Sequence, residues 1–287
     1  MVTPKKTVHA PAKLNIRLKV TGRRPDGYHE LVSIMVPISL FDHLELEIIR
    51  SQRTIITSKG YSVPNNEKNL AYRAAQSFFS LTGIKSGLSI KLTKNIPVAA
   101  GLGGGSSNAA CALKALNEMW SNPLTFKDLM DLALSLGADV PFFLHSRPCI
   151  ARGIGEILEP IENWPRFWYI VITPLLRIST SWAYGNLKLK LTTDENNSII
   201  NALGKQPLDI IKILENDLET VTASHFPVIS TIKKSLVDAG ANGALMSGSG
   251  PSVFGIFRSK EQALSAERYL ASKNLGDISV CWGVVKR

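Results

Sequence analysis

The segment Pro97-Val98-Ala99-Ala100-Gly101-Leu102-Gly103-Gly104-Gly105-Ser106-Ser107-Asn108 decides how this chain reads. Four of the five residues from 101 to 105 are glycine, and the run opens directly onto an apolar-periodic stretch. Ala109, Ala112, Leu113 and Leu116 recur at i, i+3, i+4 and i+7, the buried stripe of an amphipathic helix. Upstream, Leu88, Ile90 and Leu92 alternate with polar neighbours, so the glycine run joins a strand to a helix. Glycine lets backbone approach a ligand without a Cβ in the way. A helix start adds unpaired N–H groups and the positive end of a dipole. Together they make a cradle for an anion, most often phosphate. The spacing predicts that the helix starts near Ser106, with Ser106, Ser107 or Asn108 as its cap.

Taken alone, the run is also what a tight strand-to-helix connection looks like. It is not a Walker loop, because no Lys-Ser or Lys-Thr follows the glycines. Nor is it a dinucleotide fingerprint, since no acidic residue stands at a strand end about 20 residues on. A nucleoside triphosphate kinase outside the P-loop class stays open.

Composition narrows the setting. At 287 residues the chain exceeds a usual single core, so two domains are expected, 1–155 and 156–287. Hydrophobic content of 45% and charged content of 20% describe an ordinary globular protein. The apolar run Trp168 to Ile172 ends at Thr173-Pro174 and is far short of a membrane span. Met1 to His9 hold lysines but neither an apolar core nor a cleavage pattern, so no signal peptide is expected. Cys111, Cys149 and Cys281 are widely spaced and odd in number, and the histidines form no HxxxH or HExxH pair. A reducing, cytoplasmic setting fits. The net charge of +10 asks for anionic partners. Beyond Lys5-Lys6 and Arg23-Arg24 the basic residues are dispersed, and no RNP, KH or zinc-finger signature occurs. A funnel for nucleotides is therefore expected, with no nucleic-acid and no membrane partner.

Around the glycine run, the periodicities give an α+β chain. Leu14, Ile16, Leu18 and Val20 form a period-2 strand, as do Leu44 to Ile48. Helices are expected over 67–82, 126–136, 206–222, 228–239 and 260–273, and further strands over 168–172, 253–257 and 278–285. Gly137 stops the second helix, with Pro141 beyond it.

Four other stretches carry candidate chemistry. In Ala10-Pro11-Ala12-Lys13-Leu14-Asn15, strand geometry puts Lys13 and Asn15 on one face. After the turn Pro25-Asp26-Gly27 come Tyr28 and His29, an aromatic ring beside an imidazole, suited to stacking on a base and bonding its edge. Gly137-Ala138-Asp139-Val140-Pro141 offers a carboxylate able to accept the proton of an alcohol during phosphoryl transfer. Met246-Ser247-Gly248-Ser249-Gly250 is a second glycine-rich loop between a helix and a strand. Each has an ordinary reading as solvated strand face, hairpin base or turn.

In this order, the five elements resemble the GHMP kinase superfamily, with its early Pro-x-Lys segment, its Pro-x₃-Gly-Leu-Gly-Gly-Gly-Ser-Ser loop and its late Gly-Ser-Gly loop. Pro11 to Asn15, Gly22 to Arg24, Asp26 to Leu31 and Gly137 to Pro141 narrow the likeness to the branch that phosphorylates a cytidine diphosphate-linked methylerythritol. The likeness covers essentially the whole chain and is weakest from 186 to 240. It implies a ribosomal-protein-S5-like N-terminal domain and a ferredoxin-like C-terminal domain. It implies ATP as co-substrate, Mg²⁺ with it, and a cytidine diphosphate-linked small-molecule substrate. Residue by residue, Lys13 and Asp139 match the catalytic pair. Pro97, Val98, Ala99, Ala100, Gly101, Leu102, Gly103, Gly104, Gly105, Ser106 and Ser107 match the ATP phosphate loop, with Asn69 near the nucleotide. Asn15, Tyr28 and His29 match substrate positions, Tyr28 stacking on cytosine and His29 reading its edge, and Tyr184 resembles the aromatic on the base's other face.

Two positions depart from the pattern. Ser247 stands where a threonine is common, which keeps a hydroxyl. The glutamate that binds Mg²⁺ in several relatives has no placed counterpart, leaving Ser107 as the candidate metal ligand. The sequence leaves oligomeric state open. Two other readings share these features. A homoserine- or mevalonate-type GHMP kinase would keep the loop and the base but have no use for Tyr28-His29 as a nucleobase grip. A non-catalytic binding protein on the same fold would tolerate loss of Asp139 and lose binding steeply with salt.

Overall fold

The computed structural model describes residues 4–187 and 209–284. Two compact units emerge. The first comprises Met1–Ala12, Leu40–Val98 and Gly103–Ser146, and the second Lys13–Ser39, Ala99–Leu102 and Arg147–Arg287. Two long strands, β1 (Lys5–Arg23) and β2 (His29–Ile49), supply residues to both.

In the first unit, β3 (Thr54–Gly60) runs parallel to β4 (Gly87–Lys94), and β4 pairs antiparallel with the outer half of β2, Leu44 opposite Leu92 and Leu46 opposite Ile90. Alternation decides which face is covered: Leu44, Leu46, Leu88 and Ile90 are fully buried, while His43, Glu45 and Glu47 between them are partly solvated. Four helices follow the chain here: α1 (Leu70–Thr82), α2 (Gly104–Met119), α3 (Phe126–Leu136) and α4 (Val140–His145). α1 and α2 pack against each other, and both bury alanines: Ala71, Ala74 and Ala75 in α1, and Ala109, Ala112 and Ala115 in α2. Small side chains favour close approach of helices, and Phe78, Leu113 and Leu116 are fully buried in the same two helices. Thr125 and Asp128 form a reciprocal capping box at the start of α3, two orphan N–H groups satisfied at once.

The second unit holds β5 (Cys149–Gly153), paired antiparallel with the inner half of β2, and β6 (Ile157–Pro160) beyond it. Its other sheet is antiparallel, made of β7 (Trp168–Thr173), β9 (Gly243–Met246), β10 (Val253–Phe257) and β11 (Asp277–Trp282) in the order β11-β7-β10-β9. Between these strands run α5 (Thr180–Gly185), α6 (Ile210–Ile213), the two-residue β8 (Glu215–Asn216), α7 (Asp217–His225), α8 (Val228–Asp238) and α9 (Lys260–Ala271). The apolar stripes of α8 (Ile229, Ile232, Leu236) and α9 (Ala263, Ala266, Leu270) share a core with Ile170, Ile172, Val253 and Phe257 of the sheet.

Three sequence expectations are corrected. The helix after the glycine run begins at Gly104, not near Ser106, and its cap is Gly103 in the left-handed region (φ 69°), with no side-chain capping bond. Glycine reaches that conformation without a Cβ penalty, so Ser106 and Ser107 fall inside the first turn. The expected helix at 206–222 is interrupted over its described part: α6 ends at Ile213, and Glu215 and Asn216 pair in parallel with Arg17 and Leu18 of β1. There Asn216 accepts from Leu218 N–H at 3.0 Å and donates to Met246 and Gly248 carbonyls, which draws the backbone out of the helix. The last strand stops at Trp282, and Gly283 makes only an isolated bridge with Ile38; Val285 lies outside the described residues.

Candidate active site

Within the first unit, the glycine loop is held from beneath by one carboxylate. Asp42, on β2 and fully buried, accepts from Asn95 N–H at 2.7 Å and Ile96 N–H at 2.9 Å through one oxygen. Its other oxygen accepts from Lys94 Nζ at 2.5 Å and Asn108 Nδ2 at 2.9 Å. Lys94 also donates to the Ile96 carbonyl at 2.9 Å. Thus the end of β4, the entry to the loop and the first turns of α2 are tied to a single residue. Burial draws the Lys94 ammonium below its ordinary range, and the Asp42 carboxylate opposes that shift. The cluster also explains one glycine: a Cβ on Gly104 would lie 2.7 Å from Lys94 Nζ and 2.9 Å from Ile96 Cγ2.

The same unit holds Pro97, Val98, Gly103, Gly104, Gly105, Ser106 and Ser107 of the loop, together with Asn69 and Asp139. Asn69 is the cap of α1, accepting from Ala71 N–H at 3.0 Å and donating to the Pro64 carbonyl at 2.9 Å. Asp139 is the residue before α4, a short helix that no periodicity marks in the sequence; no side-chain hydrogen bond caps that helix. At the start of α2 the Ser107 N–H donates to the Gly103 carbonyl at 2.9 Å, and the N–H groups of Gly104, Gly105 and Ser106 precede the first such bond, as at any helix N-terminus. Ser107 Oγ, in that turn, is buried and has no hydrogen-bond partner.

The second unit holds Lys13, Asn15 and the loop residues Ala99 to Leu102. Lys13 N–H donates to the Leu102 carbonyl at 2.9 Å, and Ser252 N–H to that of Ala100 at 3.3 Å. Lys13 Nζ donates to Asn15 Oδ1 at 2.5 Å, both side chains nearly sealed from water. The hydroxyl of Ser247 accepts from Asn15 N–H at 3.3 Å and donates to the Gly101 carbonyl at 3.0 Å. So the hydroxyl that the sequence keeps at this position ties the late glycine loop to β1 and to the phosphate loop. At Gly101 (φ 76°) a Cβ would sit 2.0 Å from the Ser247 carbonyl oxygen, so only glycine fits. Ala99 takes a left-handed backbone (φ 52°) that L residues seldom adopt, a strained point in the loop.

Tyr28, His29 and Tyr184 also belong to the second unit. The turn that presents Tyr28 is closed by Arg24 N–H to Tyr28 O at 2.7 Å and Gly27 N–H to Arg24 O at 3.1 Å. Tyr28 is 58% exposed, an aromatic face open to a ligand. The His29 ring stacks on Tyr184, centroids 4.9 Å apart and planes 28° from parallel. Burial, and then the Arg23 charge, hold the His29 imidazole below its ordinary value, which favours the neutral ring. The three thiols offer no competing site: burial pushes Cys149 up to about 12 and Cys281 higher still, and Cys111 Sγ faces the His9 carbonyl.

Lys13 belongs to the second unit and Asp139 to the first. Asp42 and Asn216 have no signal in the sequence, and Asn108 stands out there only as a candidate helix cap; polar residues in a strand, a helix and a break carry no local signature of the loops they hold. Among the described residues, no group of three or more His, Cys, Asp or Glu gathers to hold a metal.

The model for the GHMP kinases N terminal domain matches residues 69–147, and that for GHMP kinases C terminal matches 199–276. The 4-diphosphocytidyl-2-C-methyl-D-erythritol kinase of Syntrophotalea carbinolica is 46% identical over 265 residues, 92% of this chain and 94% of the relative. A crystal structure of 4-(cytidine 5'-diphospho)-2C-methyl-D-erythritol kinase superposes with TM-score 0.82 at 37% identity, covering 97% of this chain and all of the other. Homoserine kinase from Cytophaga hutchinsonii shares the fold, with TM-score 0.76 at 21% identity over 98% of this chain and 95% of its own. By motif, full-length similarity and fold, the chain belongs to the GHMP kinase family, that of ATP-dependent small-molecule kinases.

Proposed function

We propose that the chain transfers the γ-phosphoryl group of ATP to the 2-hydroxyl of 4-diphosphocytidyl-2-C-methyl-D-erythritol, a step of non-mevalonate isoprenoid biosynthesis. The observation that carries this reading is 46% identity across 92% of the chain to a relative of that name, and the Tyr28-His29 pair in the sequence is in keeping with a nucleobase-linked substrate. Homoserine and mevalonate kinases share the fold at far lower identity, so the fold by itself does not choose the substrate. Two domains, 1–155 and 156–287, go with the proposal, and the matches at 69–147 and 199–276 fall on either side of that boundary.

In the proposed mechanism the ATP phosphates lie along the backbone amides of residues 101–107. Cytosine is gripped by Tyr28, His29 and Tyr184, remote binding that positions the hydroxyl for attack. A bond forms from that oxygen to the γ-phosphorus as the bond to the bridging oxygen of ADP breaks, and Asp139 accepts the hydroxyl proton. Lys13 stabilises the carboxylate and the charge on the moving phosphoryl group. Magnesium, when bound with ATP, neutralises phosphate charge; the orphaned Ser107 hydroxyl fits it as one hard oxygen ligand. Three cysteines that form no disulfide and dispersed basic residues favour a cytoplasmic enzyme without nucleic-acid or membrane partners. No helix among the described residues is long and apolar enough to cross a membrane.

The test is ADP release from ATP and Mg²⁺ with the cytidyl substrate, beside mevalonate and homoserine. Turnover with the cytidyl compound alone supports the reading. Turnover with a control instead keeps the loop and base but discards the cytosine grip. No turnover by folded, ATP-binding protein favours a non-catalytic role.

A further inference from the structure

We propose that Ser33 is a positioning residue for phosphoryl transfer: its hydroxyl sets the direction of a hydrogen-bond relay that holds the Lys13 ammonium through the Asn15 amide. The inference rests on the reading of Lys13 as a catalytic residue. All its members belong to the second unit.

The relay begins at the backbone carbonyl of Arg17, which can only accept. Ser33 Oγ donates to that carbonyl at 2.6 Å, which commits its single proton. Toward Asn15 the hydroxyl is left as an acceptor, and Asn15 Nδ2 donates to it at 2.8 Å. The amide is thereby oriented with its NH₂ toward Ser33 and its carbonyl toward Lys13. An ammonium carries donors only, so this is the one orientation that lets Lys13 Nζ donate to Asn15, at 2.5 Å. The Asn15 backbone is pinned as well, through its N–H to Ser247 Oγ. Relative exposure is 1% for Ser33, 3% for Asn15 and 5% for Lys13, so solvent is poorly placed to repair an error. Without the Ser33 hydroxyl the buried Asn15 NH₂ loses its acceptor, and only the ammonium is left to hold the amide against turning toward another one. The flipped form sets NH₂ against NH₃⁺, donor against donor, and turns the lysine away from its place.

Ser33 touches neither nucleotide nor reacting atoms in this scheme, so its loss should act on kcat rather than on ATP binding. The full-length chain is compared with Ser33→Ala, Ser33→Cys and Ser33→Thr. Cysteine is close to isosteric but a weak donor and acceptor, and it keeps the test available if alanine does not fold. Steady-state constants are read with ATP and the cytidyl substrate. Exchange of the Asn15 side-chain NH₂ with solvent is read by NMR on asparagine-labelled protein.

The alanine and cysteine variants are expected to lose about tenfold in kcat with KM for ATP within about threefold of the parent, the sign of misplacement rather than lost binding. Their Asn15 NH₂ should exchange at least ~10 times faster, since its acceptor is gone, while threonine restores both readouts to within about threefold. Wild-type kcat in both weakened variants, unchanged Asn15 exchange, or a threonine variant as impaired as the cysteine one would each overturn the relay. The exchange measurement needs no turnover. An enzyme inactive on the cytidyl substrate but with the exchange pattern intact would therefore count against the proposed function and leave the relay standing.

Discussion

Asp139 precedes a short helix that its side chain does not cap, so alanine there removes a carboxylate without removing a cap. Asp139→Ala should lower kcat at least ~100-fold while calorimetry finds ATP affinity within a few fold of the parent. Near-parental turnover would remove Asp139 as the base. His29 gives a pH prediction with a definite sign. Burial, then Arg23, hold its folded value below the ordinary 6.5, so as pH falls the unfolded chain takes up the proton first. The stability that goes with a neutral His29 is complete above the ordinary value and is lost as pH drops through it toward the folded value. If the neutral ring reads the base, KM for the cytidyl substrate stays flat as pH is lowered to 6.5 and rises only below it. A KM already rising above the ordinary value would contradict this. Motif spacing singles out Lys13, Tyr28 and Asp139 as candidates for the roles proposed above. Strand alternation puts Asn15 beside Lys13, but that its amide is turned by Ser33, 18 positions away, is not legible there.

Elements matter here through what their ends hold. The end of β4, the loop entry and α2 converge on Asp42, so Asp42→Ala strands a buried lysine and frees the loop. Removing one partner of a buried pair costs about 3–5 kcal/mol. Urea unfolding should show a loss of that order; a loss under about 1 kcal/mol would mean that the Lys94 ammonium finds other partners. The late loop makes a second junction. Gly101→Ala brings a methyl within 2.0 Å of the Ser247 carbonyl oxygen and forces a left-handed alanine, so backbone has to move. We expect a stability loss of roughly 1–3 kcal/mol and at least ~10-fold weaker ATP binding, read by thermal melts and calorimetry. Unchanged ATP affinity would show that the loop binds nucleotide elsewhere. The bounds of α3 and β10 follow the sequence periodicity residue for residue, but short β5 and β9 escaped it. Cys149 to Ala151 are all buried, so no alternation marks that strand.

At the scale of the whole molecule, a net charge of +10 meets two anionic substrates under the proposed reaction. Diffusional capture should then be salt-sensitive while chemistry is not. Raising salt from about 50 to about 300 mM is expected to lower kcat/KM for the cytidyl substrate roughly two- to fivefold with kcat nearly constant. A flat kcat/KM would assign the basic surface to some other use.

By itself the sequence determined the strand–loop–helix around Pro97 to Ser107, the long helices, the alternating strands and the family. Those signals are local: periods of two and 3.6 residues, turn chemistry and motif spacing are properties of near neighbours. Tertiary structure alone decided which side chains hold the loops. Asp42 reaches Lys94 across 52 positions and Asn108 across 66, and Ser247 reaches Gly101 across 146. The break at Glu215 and Asn216 has the same origin: pairing with Arg17 and Leu18 and capture of the Met246 and Gly248 carbonyls outweigh a helical pattern. A buried polar group takes whatever partner the fold brings to it, because leaving it unpaired costs more than helix propensity returns.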